Sequence, residues 1–207
     1  MILISLVFLS PLYSEESTFT FSADRTEAVL SQGKEKTVLS GNAVVKTNAT
    51  VIEADRIELY GEDFRFVICS GDIRVTDEEQ GFILNCRDLF FDRETEVTRV
   101  QGYTEMVDLK NSMVVKGSFF ENHGKDNISI IQIGVRILKD DEDGAMVCRA
   151  EFARYSRDED LLELSGMPRV NWKGDNYSAS RISIDLETDE ITMEGKVSGT
   201  MYTQEDE

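Results

Sequence analysis

Six glycines, Gly41, Gly71, Gly102, Gly134, Gly166 and Gly195, recur at intervals of 30, 31, 32, 32 and 29 residues. About sixteen to eighteen residues before each lies a small residue: Ala23, Ala54, Cys86, Gly117, Ala150 and Ala179. Two anchors recurring together six times define one unit of about 31 residues. A unit of that size cannot bury a core alone, so neighbouring units must cover its apolar face. The chain is therefore expected to be an extended stack, suited to binding something long and poorly suited to chemistry.

The second unit shows what each one builds. Ile52, Ala54, Ile57 and Leu59 are apolar, with Glu53, Asp55, Arg56 and Glu58 between them. Apolar parity slips by one residue between Ala54 and Ile57. A strand would turn inside out there unless a bulge or corner restores it. After a polar turn at Gly61-Glu62-Asp63, strict alternation follows through Val67, Cys69, Gly71, Ile73 and Val75. That is the signature of a half-buried strand.

The same phase carries Leu39, Gly41, Ala43 and Val45, then Val100, Gly102, Thr104 and Met106. It recurs in Leu162, Leu164, Gly166, Pro168 and Val170, and in Ile191, Met193, Gly195, Val197 and Met201. Each glycine thus falls on the inward phase, where a strand is expected to fold over or two sheets to meet. Around Gly134 the apolar residues Ile131, Ile133, Val135 and Ile137 are one step out of register. A bulge there, or an interior open to water, would account for it. Helical periodicity is nearly absent after residue 22, and twelve to fourteen strands joined by short polar turns are expected.

The 207 residues, 41% apolar and 30% charged, fit a folded chain without an internal linker. A single domain is expected over residues 15–207. The net charge of −18 excludes nucleic acid as a partner, because that binding rests on Lys and Arg displacing counterions. Residues 1–14, MILISLVFLSPLYS, carry no charge and read as a signal peptide cleaved near Ser14, which implies export. The apolar run is too short to span a membrane. Three cysteines, Cys69, Cys86 and Cys148, make no closed disulfide set and no zinc pair. They read as core thiols, with a Cys69–Cys86 disulfide across a turn at Asp77–Gly81 left open.

No nucleophile elbow, zinc-protease or phosphate-loop motif is present. His123 stands in a turn-like Glu121–Lys125 setting and reads as exposed and structural. Asp140-Asp141-Glu142-Asp143-Gly144 lacks the alternating ligands of a calcium loop and reads as a solvated turn.

Ala54-Asp55-Arg56-Ile57-Glu58-Leu59 followed by Gly71-Asp72-Ile73-Arg74-Val75 resembles the OstA-like family of lipopolysaccharide-transport proteins. Ala150–Tyr155 with Gly166–Val170 matches as well, and the similarity runs over roughly residues 21 to 201. Arg87, Ser118 and Ser180 replace the family aspartate in units three, four and six. The resemblance implies an all-β, elongated, twisted, open antiparallel β-jellyroll of about six two-strand repeats, with no catalytic residues and no cofactor. It implies a periplasmic location and an apolar groove for the acyl chains of lipopolysaccharide or another glycolipid. The inward residues that would line this groove are Ile52, Ile57, Leu59, Val67, Ile73, Val75, Leu89, Phe91, Val100, Met106, Leu164 and Val170. Periodicity alone does not separate such a groove from a closed core, and without the resemblance the closed core is the favoured reading. The resemblance also implies head-to-tail self-association, and partners among inner- and outer-membrane proteins with OstA-like domains. Phe19, Phe21, Val29, Val197 and Met201 are the candidate edge contacts. A membrane-anchored component of the same pathway, or a polymerising β-solenoid that binds no lipid, are the alternatives.

Overall fold

The computed structural model describes residues 20–29, 31, 35–47, 49–140 and 144–202. The apolar N-terminal run, Phe19 and residues 141–143 of the acidic turn lie outside them. Within the described residues, every one of eight long strands bends at its middle. These are β3 (Lys36–Lys46), β4 (Thr50–Tyr60), β5 (Phe66–Asp77), β6 (Phe82–Asp92), β7 (Val97–Asp108), β8 (Met113–His123), β9 (Ile128–Lys139) and β10 (Met146–Ser156). Consecutive members pair antiparallel, and every pairing breaks register at the bend.

The shorter strands are the same bent strands broken in two. They are β1 (Thr20–Ser22) with β2 (Arg25–Val29), and β11 (Leu161–Ser165) with β12 (Arg169–Trp172). Likewise β13 (Asp175–Ser178) runs into β14 (Arg181–Asp185), and β15 (Ile191–Glu194) into β16 (Ser198–Thr200). Sixteen segments therefore make twelve bent strands, two per repeat, against the expected twelve to fourteen.

Bending divides the sheet into two layers. The first runs β2, then one half of each strand from β3 to β10, then β11, β14 and β15. The second runs β1, the other halves, then β12, β13 and β16. In both layers alternate residues are buried, among them Leu39, Ile57, Val100, Ile137, Leu164 and Ile184. With strands adjacent only to their sequence neighbours, each layer covers the other's apolar face.

The two sequence anchors are the two kinds of bend. Ala54, Cys86, Gly117 and Ala150 are buried and point inward where the gap between layers closes. A Cβ on Gly117 would lie 2.5 Å from Ile131 Cγ2, so the corner admits only a small residue. The glycines are not inward, which corrects the phase reading. They sit half-buried or exposed with left-handed backbone, and at four of the six the residue after the small anchor packs over them. Asp24 lies over Gly41, Asp55 over Gly71, Glu151 over Gly166 and Ser180 over Gly195. These acids also accept hydrogen bonds at the bend: Asn42 Nδ2 donates to Asp24 (3.0 Å) and Asp72 N–H to Asp55 (3.3 Å). The recurrent aspartate is thus a plug and an acceptor for a strand corner.

The fourth unit is not out of phase. Its inward residues Ile131, Val135 and Ile137 are buried, and the corner position two residues after Ile131 is Ile133. Ile133 is 60% exposed at φ 65°, with Gly134 beside it at φ 67°. Ile133, one residue before Gly134, holds the position that glycine holds at the other bends. Here Ser118 replaces the aspartate, and at the third bend, where Arg87 does so, a Cβ on Gly102 would meet nothing within 4 Å. A β-branched residue in the left-handed region costs about 1–2 kcal/mol. Ile133→Asn is therefore expected to raise unfolding free energy by about 1 kcal/mol in urea titration. An unchanged or lower midpoint would show that Ile133 is held there by a favourable contact.

A third recurrence lies at the strand ends. Asp77, Asp92, Asp108 and Asp185 each end a strand and accept backbone N–H bonds from the turn that follows. The Arg65 guanidinium, then the Glu94 and Thr95 groups of that turn, hold the Asp92 carboxyl well below the usual carboxylate range. Cys69, Cys86 and Cys148 are free and buried. Burial pushes the thiols up, to about 12 for Cys69 and Cys148 and about 11 for Cys86. They are core residues without the thiolate character that reactivity requires.

Candidate functional site

Between the layers, along β4 to β8, the two inner faces part and leave a cavity of about 320 Å³. The second layer contributes Ile52, Val75, Phe82, Leu84 and Met106 to its walls; the first contributes Leu89, Phe91 and Phe120. Its mouth opens between the two rows of turns, rimmed by polar groups such as Thr50, Gln80, Glu96 and Asn127. The volume is at the lower end of the ~300–1,000 Å³ typical of ligand sites, and the lining follows their pattern of apolar walls with few polar groups.

Arg157 bounds this mouth. It leaves the turn after β10 in the first layer and reaches turns of the second. Its guanidinium donates to Gln80 Oε1 (2.7 Å) and the Gln80 carbonyl (3.2 Å), and lies 3.7 Å from Asp108 Oδ2. Nearby, Asn111 Nδ2 donates to the Tyr155 hydroxyl (3.1 Å), which donates to Asp160 (3.2 Å). Farther toward the C-terminus, Lys139 reaches Asp189 (3.0 Å) across the same gap. Polar bridges thus tie the layers together from Arg157 onward.

Of the twelve residues expected to line a groove, Ile52, Val75, Leu89, Phe91 and Met106 line this cavity. Ile57, Leu59, Val67, Ile73, Val100, Leu164 and Val170 are at most 4% exposed and pack into the core. Interior along most of the stack is filled by side chains from both layers. Phe82, Leu84 and Phe120 were missed, although Phe82 and Leu84 share the inward phase of Cys86. The opening is not at Gly134, which lies on the bend side, away from the mouth.

At the ends of the stack, β2 and β16 pair on one side alone among the described residues, and β1 and β15 end the main strand path. Phe21 lies opposite buried Val45, so it faces inward while 50% exposed. Val29 lies opposite exposed Lys36 and faces outward. Val197 and Met201 are 53% and 70% exposed where the core runs out at the other end. His123 ends β8 half-buried rather than in an exposed turn, with Nε2 2.7 Å from Glu121 Oε1.

These features define a bent-strand, open antiparallel β-jellyroll with an apolar pocket between its layers. Among solved structures, the chain is similar to LptH from Pseudomonas aeruginosa, described as the LptA-homologous periplasmic component of the conserved lipopolysaccharide transport device. Identity is 10% and the TM-score 0.28, over 91% of this chain and 97% of that one. No protein-family model and no curated protein matches the chain.

Proposed function

We propose that this chain is a non-enzymatic periplasmic carrier that shields acyl chains of lipopolysaccharide or a related glycolipid, as part of a bridge between inner and outer membranes. The observation that carries the reading is the apolar cavity opening between two rows of polar turns. Each methylene buried there contributes ~0.8 kcal/mol, so an acyl chain needs no specific polar contact to be held. The end strands, which pair on one side alone among the described residues, support the bridge, since an exposed strand edge is a template for another strand. Head-to-tail copies of this chain, or membrane proteins with a similar domain, are the partners such edges would take.

Delipidated protein is expected to bind a fluorescent fatty acid, and Leu84→Trp, which fills the cavity, to weaken that binding at least tenfold. Leu138→Trp, on the outer face, is expected to leave it unchanged. Equal binding by all three proteins would remove the cavity from the account. The same end strands also favour a polymerising scaffold without lipid. Organic extraction yielding no acyl lipid, from protein that still assembles, would select that alternative.

A further inference from the structure

One cross-strand row on the outer face of the second layer breaks the charge pattern of the molecule. Reading across adjacent strands, Glu105 faces Lys116, Lys116 faces Arg136, Arg136 faces Arg149, and Arg149 faces Arg169. Glu105 and Lys116 form an ion pair at 2.6 Å, the ordinary outcome for opposed charges. Outward pairs on the other layer do the same, with Arg99 on Glu121 and Arg154 on Glu163. Arg136, Arg149 and Arg169 are exposed and directly opposite one another, and none has a carboxylate partner among the described residues. Like charges opposed across strands destabilise a sheet. Three in succession, on a chain of net charge −18, are a local inversion of sign.

The row continues into groups that suit an oxyanion. Arg169 faces Ser178, and Ser178 faces Ser198, their hydroxyls 2.9 Å apart. A concavity of about 690 Å³ lies on this face, lined by Arg149, Arg169, both serines, Asn171 and Asn176 among others. With strands 4.7–4.9 Å apart, the three guanidinium groups are distributed over roughly 10 Å. Planar guanidinium forks match phosphate oxygens bidentately, and hydroxyl and amide donors can complete the shell.

We propose that the Arg136–Arg149–Arg169 row and the adjoining concavity bind a ligand carrying two or more phosphate groups. The site is on the opposite side of the sheet from the cavity and does not depend on the carrier reading. Phosphate of this kind can come from a soluble oligophosphate or from the headgroups of a phosphorylated lipid.

Calorimetric titration of the intact protein with inorganic tripolyphosphate, and flotation with phosphatidic acid or phosphatidylcholine vesicles, separate these sources. Binding to tripolyphosphate alone, or to phosphatidic acid vesicles, supports the site and names its source. Arg149→Gln and Arg169→Gln are each expected to weaken it at least tenfold, the loss of a charge-assisted hydrogen bond. Without ligand, both variants are expected to melt no lower than the parent, because a repulsion is removed. Arg181→Gln, on the other layer, is expected to bind as the parent does. Binding to neither probe, or equal binding by all variants, overturns the proposal.

Discussion

Gly71→Ala is expected to cost about 3 kcal/mol of unfolding free energy, and Gly102→Ala about 1 kcal/mol. Both glycines have left-handed backbone, at φ 101° and 91°, so both substitutions carry the strain of that region, about 1–3 kcal/mol. They differ in what a methyl group would meet. At Gly71 a Cβ would lie 2.5 Å from both Cβ and Cγ of Asp55, whereas at Gly102 it would meet nothing within 4 Å. Rotating the Asp55 side chain clears its Cγ at the expense of the bond from Asp72 N–H but leaves its Cβ in place, so relief at Gly71 also requires the backbone to shift. Urea titration of both variants checks the difference. Equal losses would show that conformation alone, and not the aspartate plug, makes glycine necessary. If the plug is the cause, adding Asp55→Gly to Gly71→Ala, which removes the Cβ at 2.5 Å as well as the carboxylate, should cost less than the two single losses summed.

Asp108→Ala is expected to destabilise by about 3 kcal/mol, because it removes a carboxylate that is only 1% exposed and fully engaged. Asp108 Oδ1 accepts from Lys110 and Asn111 N–H, Oδ2 accepts from Asn111 Nδ2, and Arg157 stands beside it. Deleting one partner of a buried ionic cluster leaves the remainder desolvated and unpaired, which costs about 3–5 kcal/mol. Arg157 is part exposed and keeps its bonds to Gln80, so the lower end applies. Amide exchange should accelerate in the turns around Gln80 and Arg157 more than at the bends. Uniform acceleration across the sheet would mean that Asp108 supports the fold as a whole and not the junction of the layers.

Repeat length and strand alternation were legible because each is written in residue type at fixed spacing, whereas the antiparallel jellyroll was implied by the family resemblance. The parity slip between Ala54 and Ile57 predicts a bend from sequence, and a bend is there. The role of glycine was harder to read. Its place on the inward phase came from counting by two, but a left-handed residue resets the count, so Gly71 leaves the face that Cys69 and Ile73 share. The same rule displaced the fourth anchor, where Ile133 performs what glycine performs elsewhere. The cavity was only partly legible. Phase identifies which side chains point inward, and it is silent on how far apart the layers stand above them. Ile57 and Ile52 have equal claims by phase, yet one is sealed in the core and the other lines a pocket. The arginine row was invisible for a further reason. Arg136, Arg149 and Arg169 are separated in sequence, and only strand register sets them side by side.

From β3 to β10, each strand pairs chiefly with the strands before and after it in the chain. Inserting or deleting one pair of strands at a turn would therefore leave every other register intact. A pair adds roughly 10 Å at the usual strand spacing. Span is then set by the number of repeats and by nothing else in the fold, so the gene can lengthen or shorten the molecule as one trims a ruler, without redesigning its cross-section.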